Sequence, residues 1–244
     1  MKSRLLAALI IALLLAPATA SATWFAETET GLAVTGYNDV AIPGDDGTRF
    51  SLSEDLEADP AWYVRLRLGK TIAQRHTILL LAAPLTIYSE GSFDEDVTYD
   101  DTTFKRGETV RARYRFDSYR LTYRYDFLLD PVELGAGLTG KIRDAAISLD
   151  GAEYAEFTNT GFVPLVNFRL YWNFASVAGL LLEGDALAGP QGRAEDVLAA
   201  VTVDAAPQVR LRAGYRILEG GADNDTVYTF ALVHYAAFGL AVRF

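Results

Sequence analysis

Large apolar side chains alternate with charged ones along several segments of this chain, and the pattern limits the folds open to it. In the segment 209–217 every odd position is apolar, whereas Arg210, Arg212 and Arg216 stand at even positions. The segment 119–127 repeats the pattern, with Tyr, Leu or Phe at every odd position and Arg, Thr or Asp at every even one. Because successive side chains of a β-strand point to opposite faces of the sheet, each segment predicts a strand with one apolar and one polar face.

The composition is consistent with a sheet that separates an apolar environment from a polar one. Half of the residues are hydrophobic, with 13 Tyr, 13 Phe and 20 Gly, yet the formal net charge is -10. The absence of Cys excludes disulfides and thiolate metal ligands. The acidic charge argues against nucleic acid as a partner, since phosphate binding requires clustered Lys and Arg. A soluble β-sandwich with an aromatic core is the alternative, but it does not account for Arg placed so regularly on the second face.

The final strand carries the most specific motif. Phe238, Leu240, Val242 and Phe244 share one parity, and the sequence ends on the last of these. The strand resembles the C-terminal strand of bacterial outer-membrane β-barrel proteins. The resemblance implies an all-β fold: a closed, antiparallel, up-and-down transmembrane barrel in the outer membrane of a Gram-negative bacterium. It also implies that these four residues form the signal read by the barrel-assembly machinery, and that lipid and lipopolysaccharide surround the protein.

The first residues have the pattern of a secretory signal peptide. Lys2 and Arg4 precede an apolar run over 5–15, and small residues form cleavage sites that end at Ala20 and Ala22. The run is too short to span a bilayer comfortably. We therefore expect a cleaved signal peptide over 1–22 and a single barrel domain over 23–244, with a retained anchor as the alternative.

Ten segments have the length and alternation of transmembrane strands. They are 28–37, 61–70, 76–89, 110–128, 131–148, 158–174, 176–188, 194–204, 207–219 and 227–244. Short joins at 70–74, 129–131, 174–175 and 204–207 then fall at one end and are predicted to be periplasmic turns. The acidic segments 39–59 and 90–108 fall at the other end and are predicted to be solvated outer loops. An eight-strand barrel is the alternative, and it requires that 28–37 and a second segment leave the wall.

The charged parity is predicted to face the lumen, because an Arg or Lys at the bilayer midplane costs about 2–4 kcal/mol. The predicted lumen-lining residues are Arg65, Arg67, Arg120, Arg124, Glu133, Arg169, Glu183, Asp185, Asp196, Arg210, Arg212 and Arg216. A barrel of this size holds little besides its own side chains, so long residues of both signs predict a salt-bridged plug. A narrow, charge-selective pore lined by Arg is the alternative.

Two finer expectations concern strand geometry. The parity of apolar residues changes near Asp117 and near Arg143, which predicts β-bulges or strand ends above the membrane. A turn centred on 205–206 predicts that Asp196 lies directly opposite Arg216 on the neighbouring strand.

An enzyme is a less favoured reading. Small outer-membrane barrels include lipid A deacylases, palmitoyltransferases and ten-strand proteases, whose catalysis rests on a positioned His. This chain has only His76 and His234. The deacylases carry Ser directly after the catalytic His, where Thr77 and Tyr235 stand here, and neither His has the Asp two residues before it that the proteases use. No catalytic, cofactor or metal site is therefore predicted. We expect a structural or surface role, with a small pore as the alternative and a lipid-modifying enzyme less favoured.

Overall fold

The chain folds into antiparallel β-strands, and the computed structural model describes residues 22–190 and 192–244. The predicted signal peptide lies outside these residues, apart from Ala22. The strands are β1 (Ala22–Ala41), β2 (Phe50–Ser51), β3 (Leu56–Ala58), β4 (Ala61–Ile72), β5 (His76–Ala83), β6 (Thr86–Gly91), β7 (Val97–Tyr99), β8 (Thr102–Phe104), β9 (Val110–Leu129), β10 (Val132–Asp150), β11 (Tyr154–Ala175), β12 (Ala178–Gly189), β13 (Gly192–Ala206), β14 (Val209–Asn224) and β15 (Val227–Arg243). Within this part of the chain no helix is long and apolar enough to cross a membrane.

Ten wall positions close into a barrel. Each long strand pairs with its neighbours in the chain, and β1 pairs with β15 from Phe25↔Arg243 to Ala41↔Tyr228, which joins the two edges. The short strands β5 and β6 pair one after the other with β9 and together occupy a single wall position. The predicted fold class and strand number are confirmed, and the eight-strand alternative is wrong because β1 lies in the wall over its whole length.

The two ends of the barrel differ in the length of their connections. Short turns link β4 to β5, β9 to β10, β11 to β12 and β13 to β14 at one end, which we call the turn end. The opposite end, called the loop end, carries the long segments between β1 and β4 and between β6 and β9. These two ends correspond to the predicted periplasmic and outer sides.

A band of exposed apolar side chains surrounds the barrel between its two ends. It includes Leu66, Leu68, Leu80, Leu121, Leu138, Ile142, Val166, Leu180, Val201, Leu211 and Phe238. Exposed aromatic residues lie at both margins of the band, with Phe127, Trp172 and Phe174 toward the turn end and Trp62 and Phe162 toward the loop end. An apolar band bordered by aromatic residues is the surface of a barrel that faces lipid.

The polarity of the wall reverses above this band. In the lower half of β9, Arg120 points inward and is buried while its neighbour Tyr119 is exposed. In the upper half, Ala112 and Tyr114 are buried inside and Arg113 forms an ion pair with Glu156 on the outside. The upper barrel is therefore organised like a water-soluble protein, with an apolar interior and a charged exterior.

This reversal corrects the prediction of bulges near Asp117 and Arg143. The pairing of β9 with β10 runs without a shift from Gly135↔Asp126 to Asp150↔Arg111. Alternate residues keep pointing to the same side of the wall along both strands. The exterior changes from lipid to water and the interior changes from polar to apolar, so the apolar residues change from the outward to the inward positions without any insertion in the strand.

The two acidic loops fill the loop end of the barrel, which corrects the prediction that they are solvated. Buried apolar residues from both loops form a plug, which we define as residues 42–58 and 92–104. The buried members are Ile42, Phe50, Leu52, Leu56, Phe93, Val97, Tyr99 and Phe104. The Phe50 ring packs edge-on against the rings of Phe93 at 5.2 Å and Tyr99 at 5.8 Å. The Tyr99 hydroxyl donates a hydrogen bond to the Ile147 carbonyl of β10 at 2.8 Å, which attaches the plug to the wall.

The barrel interior as the candidate functional site

The centre of the lumen holds a connected network of ion pairs. Its members are five arginines and five carboxylates: Arg65, Arg67, Arg120, Arg212, Arg216, Glu27, Glu29, Glu183, Asp185 and Asp196. We call these ten residues the central network. Its formal charges cancel, as buried charges require, because each unpaired charge inside the barrel carries a large desolvation cost.

Asp196 is the carboxylate with the most cationic neighbours in this network. Its oxygens lie 2.7 Å from Arg65, 2.6 Å from Arg120 and 2.5 Å from Arg216. These three arginines belong to β4, β9 and β14, so they reach a residue of β13 from three different parts of the wall. Asp196 is 2% exposed and Arg216 is 1% exposed, so this cluster is packed in the middle of the lumen.

Glu29 and Glu183 extend the network across the rest of the cross-section. Arg216 donates to both oxygens of Glu29, at 2.7 Å and 2.9 Å, which is the bidentate geometry that favours Arg over Lys. Arg67 of β4 donates to Glu183 of β12, across the lumen. Arg212 bridges the two groups, since it contacts Glu29 at 3.1 Å and Glu183 at 3.7 Å.

Asp185 is held by hydrogen bonds from one arginine and two uncharged polar side chains. This carboxylate accepts hydrogen bonds from Arg120 at 2.7 Å, from the Thr139 hydroxyl at 2.6 Å and from the Asn167 amide at 2.8 Å. Its donors therefore come from β9, β10 and β11. A carboxylate held by donors from three strands is fixed in position, and this rigidity favours a seal over a mobile lining.

The structure places the twelve predicted lumen-lining residues in two groups. Eight belong to the central network. The other four lie nearer the turn end and form local pairs: Arg124 with Asp126 at 2.8 Å, Arg210 with Asp204 at 2.6 Å, and Arg169 with Glu133. No predicted residue of this set faces lipid.

Sequence reasoning missed the acidic residues of the first strand. Glu27 and Glu29 of β1 belong to the central network, and Glu29 is 1% exposed. The sequence prediction begins the first strand at residue 28 and therefore leaves Glu27 outside the wall. The alternation of Glu27 and Glu29 with Thr28 and Thr30 is the sequence signal that would assign both carboxylates to the lumen.

The predicted opposition of Asp196 and Arg216 is wrong in register. Asp196 pairs with Leu218 and Arg216 pairs with Leu198, because the turn is centred after Ala206 and a register shift follows Asp204. Asp196 and Arg216 still meet, but diagonally across the two strands. Their ion pair is one of three at Asp196 rather than an isolated cross-strand pair.

Three of the predicted assembly residues lie in β15, on the seam with β1, and Phe244 follows the last residue of this strand. Phe238, Leu240 and Val242 pair with Thr30, Thr28 and Ala26 respectively. Phe238 and Phe244 are well exposed on the outward face. Their role in assembly stays a prediction.

Both histidines lie on the outward face with tyrosine partners. The Nδ1 atom of His76 is 2.9 Å from the Tyr123 hydroxyl, and His234 bonds to the Tyr215 hydroxyl. Across residues 22–190 and 192–244, no group of three or more His, Asp or Glu side chains is placed to hold a metal ion.

The barrel is similar in fold to solved outer-membrane proteins. It superimposes on the outer membrane protease OmpT of Escherichia coli with a TM-score of 0.60 and 8% identity, covering 91% of this chain and 97% of that one. Ail, the attachment invasion locus protein of Yersinia pestis, gives a TM-score of 0.39 and 11% identity over 91% of this chain and 99% of that one. Neisserial surface protein A gives 0.34 and 14% over 92% and 99%. No protein-family model and no curated protein sequence matches the chain. The likeness to OmpT shows the fold, and at 8% identity it carries no activity across.

Proposed function

We propose that the protein is an integral outer-membrane barrel with a structural or surface role, closed to ions and without catalysis. The observation that carries the proposal is the central network. Three arginines from separate strands converge on Asp196, and the ten charged groups compensate one another inside the lumen. A lumen filled in this way leaves no file of water from one end to the other.

The apolar plug supports the same reading, because it forms a second obstruction above the network. Phe50, Tyr99 and Phe104 are nearly fully buried at the loop end. Ions would have to cross this apolar layer before they reached the arginines, and dewetted apolar constrictions block ion flow. The positions of His76 and His234 support the absence of catalysis, since each faces outward and bonds to a tyrosine.

Planar-bilayer recordings of the refolded protein test the proposal. We expect no conductance steps from the wild type. A steady, anion-selective channel would contradict the closed barrel and would support the small-pore alternative, in which excess Arg selects anions.

A second comparison separates the two obstructions. Residues 42–58 and 92–107 are each replaced by a short Gly-Ser link, so that the whole plug is removed. The shortened barrel is recorded with the network intact and with Arg65, Arg120 and Arg216 changed to Ala. The intact network is expected to keep the shortened barrel closed. The triple variant is expected to conduct and to prefer cations, because Asp196 loses all three of its arginine partners and Glu29 keeps only Arg212.

The matched control changes the same number of arginines outside the lumen. Arg111, Arg113 and Arg115 pair with carboxylates on the charged exterior, so their replacement by Ala should leave the shortened barrel closed. Heat-modifiable migration on electrophoresis verifies folding of each variant. Equal conductance of the shortened barrel with and without the three network arginines would show that the network is not the seal.

A further inference from the structure

The wall of the barrel is incomplete on one side of its upper half. β11 pairs with β10 along its whole upper length, from Asp150↔Tyr154 downward. Its pairing with β12 begins only at Val166↔Ala186, so residues 154–165 have a strand neighbour on one side alone. The β12–β13 hairpin turns back at Gly189↔Gly192, while β11 continues above it. A gap therefore separates the free edge of β11 from the tip of this hairpin.

The gap reaches down into the lipid-facing band. Phe162, next to the free edge, is 70% exposed, and its partner Ile142 on β10 also belongs to the apolar band. Pro164 lies on the free edge. Proline has no backbone N–H to donate, and at this edge there is no neighbouring strand to accept a hydrogen bond. The opening is thus bordered by apolar residues at the level where the exterior changes from lipid to water.

A cavity of about 530 Å³ lies behind the gap. Its volume falls within the roughly 300–1,000 Å³ of small-molecule sites in proteins. Residues of both wall faces line it, with Phe162 and Pro164 at the mouth and Ile147, Ala231 and Val233 inside. The cavity is mainly apolar, and Leu187 points into it yet stays partly exposed, which shows that the mouth is open.

Two basic side chains of β10, Lys141 and Arg143, line this cavity and have no carboxylate within ion-pair distance among the described residues, whereas Arg193 in the same lining pairs with Glu219. Lys141 is 3% exposed, and its Nζ atom lies 4.7 Å from the centre of the Phe116 ring. Arg143 donates to the Asn159 side chain, and its Nε atom is buried without a hydrogen-bond partner among the described residues. The buried arginines of the central network each meet a carboxylate, so Lys141 and Arg143 differ from the other basic side chains that the structure describes inside the barrel.

We propose that the cavity binds an anionic amphiphile with one long acyl chain, which enters from the outer leaflet through the gap between β11 and β12. The carboxylate or phosphate head group pairs with Lys141 and Arg143, which have no carboxylate partner among the described residues. The acyl chain packs against Phe157, Leu187 and Leu218, which line the cavity and keep exposed surface. The apolar mouth beside the lipid-facing band lets the chain move from the membrane into the cavity without crossing water.

Native mass spectrometry of the refolded protein, released from zwitterionic phosphatidylcholine nanodiscs, tests the site. Palmitate and palmitoyl lysophosphatidate probe the two head groups, hexadecanol probes the chain alone, and butyrate and inorganic phosphate probe the anion alone. We expect one palmitate or one lysophosphatidate per barrel, with affinity for these two about tenfold or more above that for hexadecanol. The difference between palmitate and lysophosphatidate identifies the preferred head group.

Two variants divide the head-group and chain contributions. Changing Lys141 and Arg143 together to Gln should remove the preference for the anionic amphiphiles and leave hexadecanol binding unchanged. The matched control changes Lys105 and Arg106, which are exposed on the second loop, to Gln and should bind like the wild type. Leu187→Trp narrows the mouth and should weaken binding of every long-chain probe, whereas Leu180→Trp on the lipid-facing surface should not.

The proposal is overturned by any of three results. The first is the absence of saturable binding of long-chain anions to the wild type. The second is equal binding of palmitate by the wild type and the Lys141/Arg143 variant. The third is binding of butyrate or inorganic phosphate as tight as that of palmitate, which would indicate a site for free anions without a chain.

Discussion

Removing the charge of Asp196 is expected to destabilise the barrel more than any comparable change at its surface. Asp196→Asn keeps the size of the side chain and leaves Arg65, Arg120 and Arg216 facing a neutral group at distances of 2.5–2.7 Å. Breaking a buried ion pair by neutralising one partner costs about 3–5 kcal/mol, since the remaining charge is neither solvated nor compensated. We expect a loss of that size in the free energy of unfolding. Equilibrium urea unfolding in phosphatidylcholine vesicles, followed by tryptophan fluorescence, measures it.

A charge-balanced double variant tests the cause of this loss. Arg65 depends mainly on Asp196, because its contact with Glu29 is longer, at 3.8 Å. Adding Arg65→Gln to Asp196→Asn restores equal numbers of positive and negative groups. The two changes should therefore couple favourably, by about 0.5–3 kcal/mol. Arg67→Gln, which removes an arginine that does not contact Asp196, should show weaker coupling.

The matched surface control is Asp39→Asn, because Asp39 forms an exposed pair with Arg49. It should leave the unfolding midpoint where it is, since solvent screens exposed pairs. A loss below about 1 kcal/mol for Asp196→Asn, or strict additivity with Arg65→Gln, would refute the central network as a set of mutually dependent charges.

Two further predictions concern the plug. Phe104→Ala should remove about 3–5 kcal/mol of packing energy from the second loop, because Phe104 is 1% exposed. Trypsin should then cut the loop at Lys105 or Arg106 while the barrel stays heat-modifiable. Unchanged resistance of the loop to trypsin would show that Phe104 does not hold it in place. The hydrogen bonds from Lys105 and from the Arg106 amide lower the pKa of Asp96 below its ordinary value, so their contribution is present at neutral pH and is lost as the pH falls through that lowered pKa. The NMR shift of the Arg106 amide should report this titration, and Asp96→Asn should abolish it.

The strand positions followed from sequence because lipid imposes one requirement on every strand. An outward residue within the band must be apolar, so Tyr119, Leu121 and Tyr123 stand out against the polar residues between them. The same requirement predicts that Arg120 and Arg124 face the lumen, as they do in the structure. The lipid boundary thus makes local alternation sufficient to locate a strand and to assign its faces.

The partners of the lumen side chains could not be read from the same pattern. Arg67 and Glu183 are far apart in sequence and lie on strands that do not pair, yet their side chains meet across the barrel. Alternation gives the direction of a side chain, whereas its partner depends on the diameter of the barrel and on the stagger of the strands. The one pair that was predicted by counting through a turn, Asp196 opposite Arg216, was displaced by two residues because the turn lies later.

The plug was missed because its apolar residues are dispersed among acidic ones. Phe50, Leu52 and Leu56 stand among Ser, Glu and Asp residues, and the high net charge of the segment led to the prediction of a solvated loop. In the structure the acidic side chains face water while these three face the interior of the upper barrel. A loop of high net charge can therefore contain buried apolar residues, and its net charge alone does not predict that it is solvated.

The reversal of polarity along the wall connects the proposed closure of the lumen to the proposed amphiphile site. At the level of lipid the interior holds the polar groups, and the central network lies there. Above the band the exterior is charged, so the interior becomes apolar and can surround the plug and an acyl chain. Because the cavity lies on the loop-end side of the network, the proposed seal would form its floor. An amphiphile held by Lys141 and Arg143 would leave by the mouth through which it entered, so this arrangement favours binding and release at one leaflet over passage through the barrel.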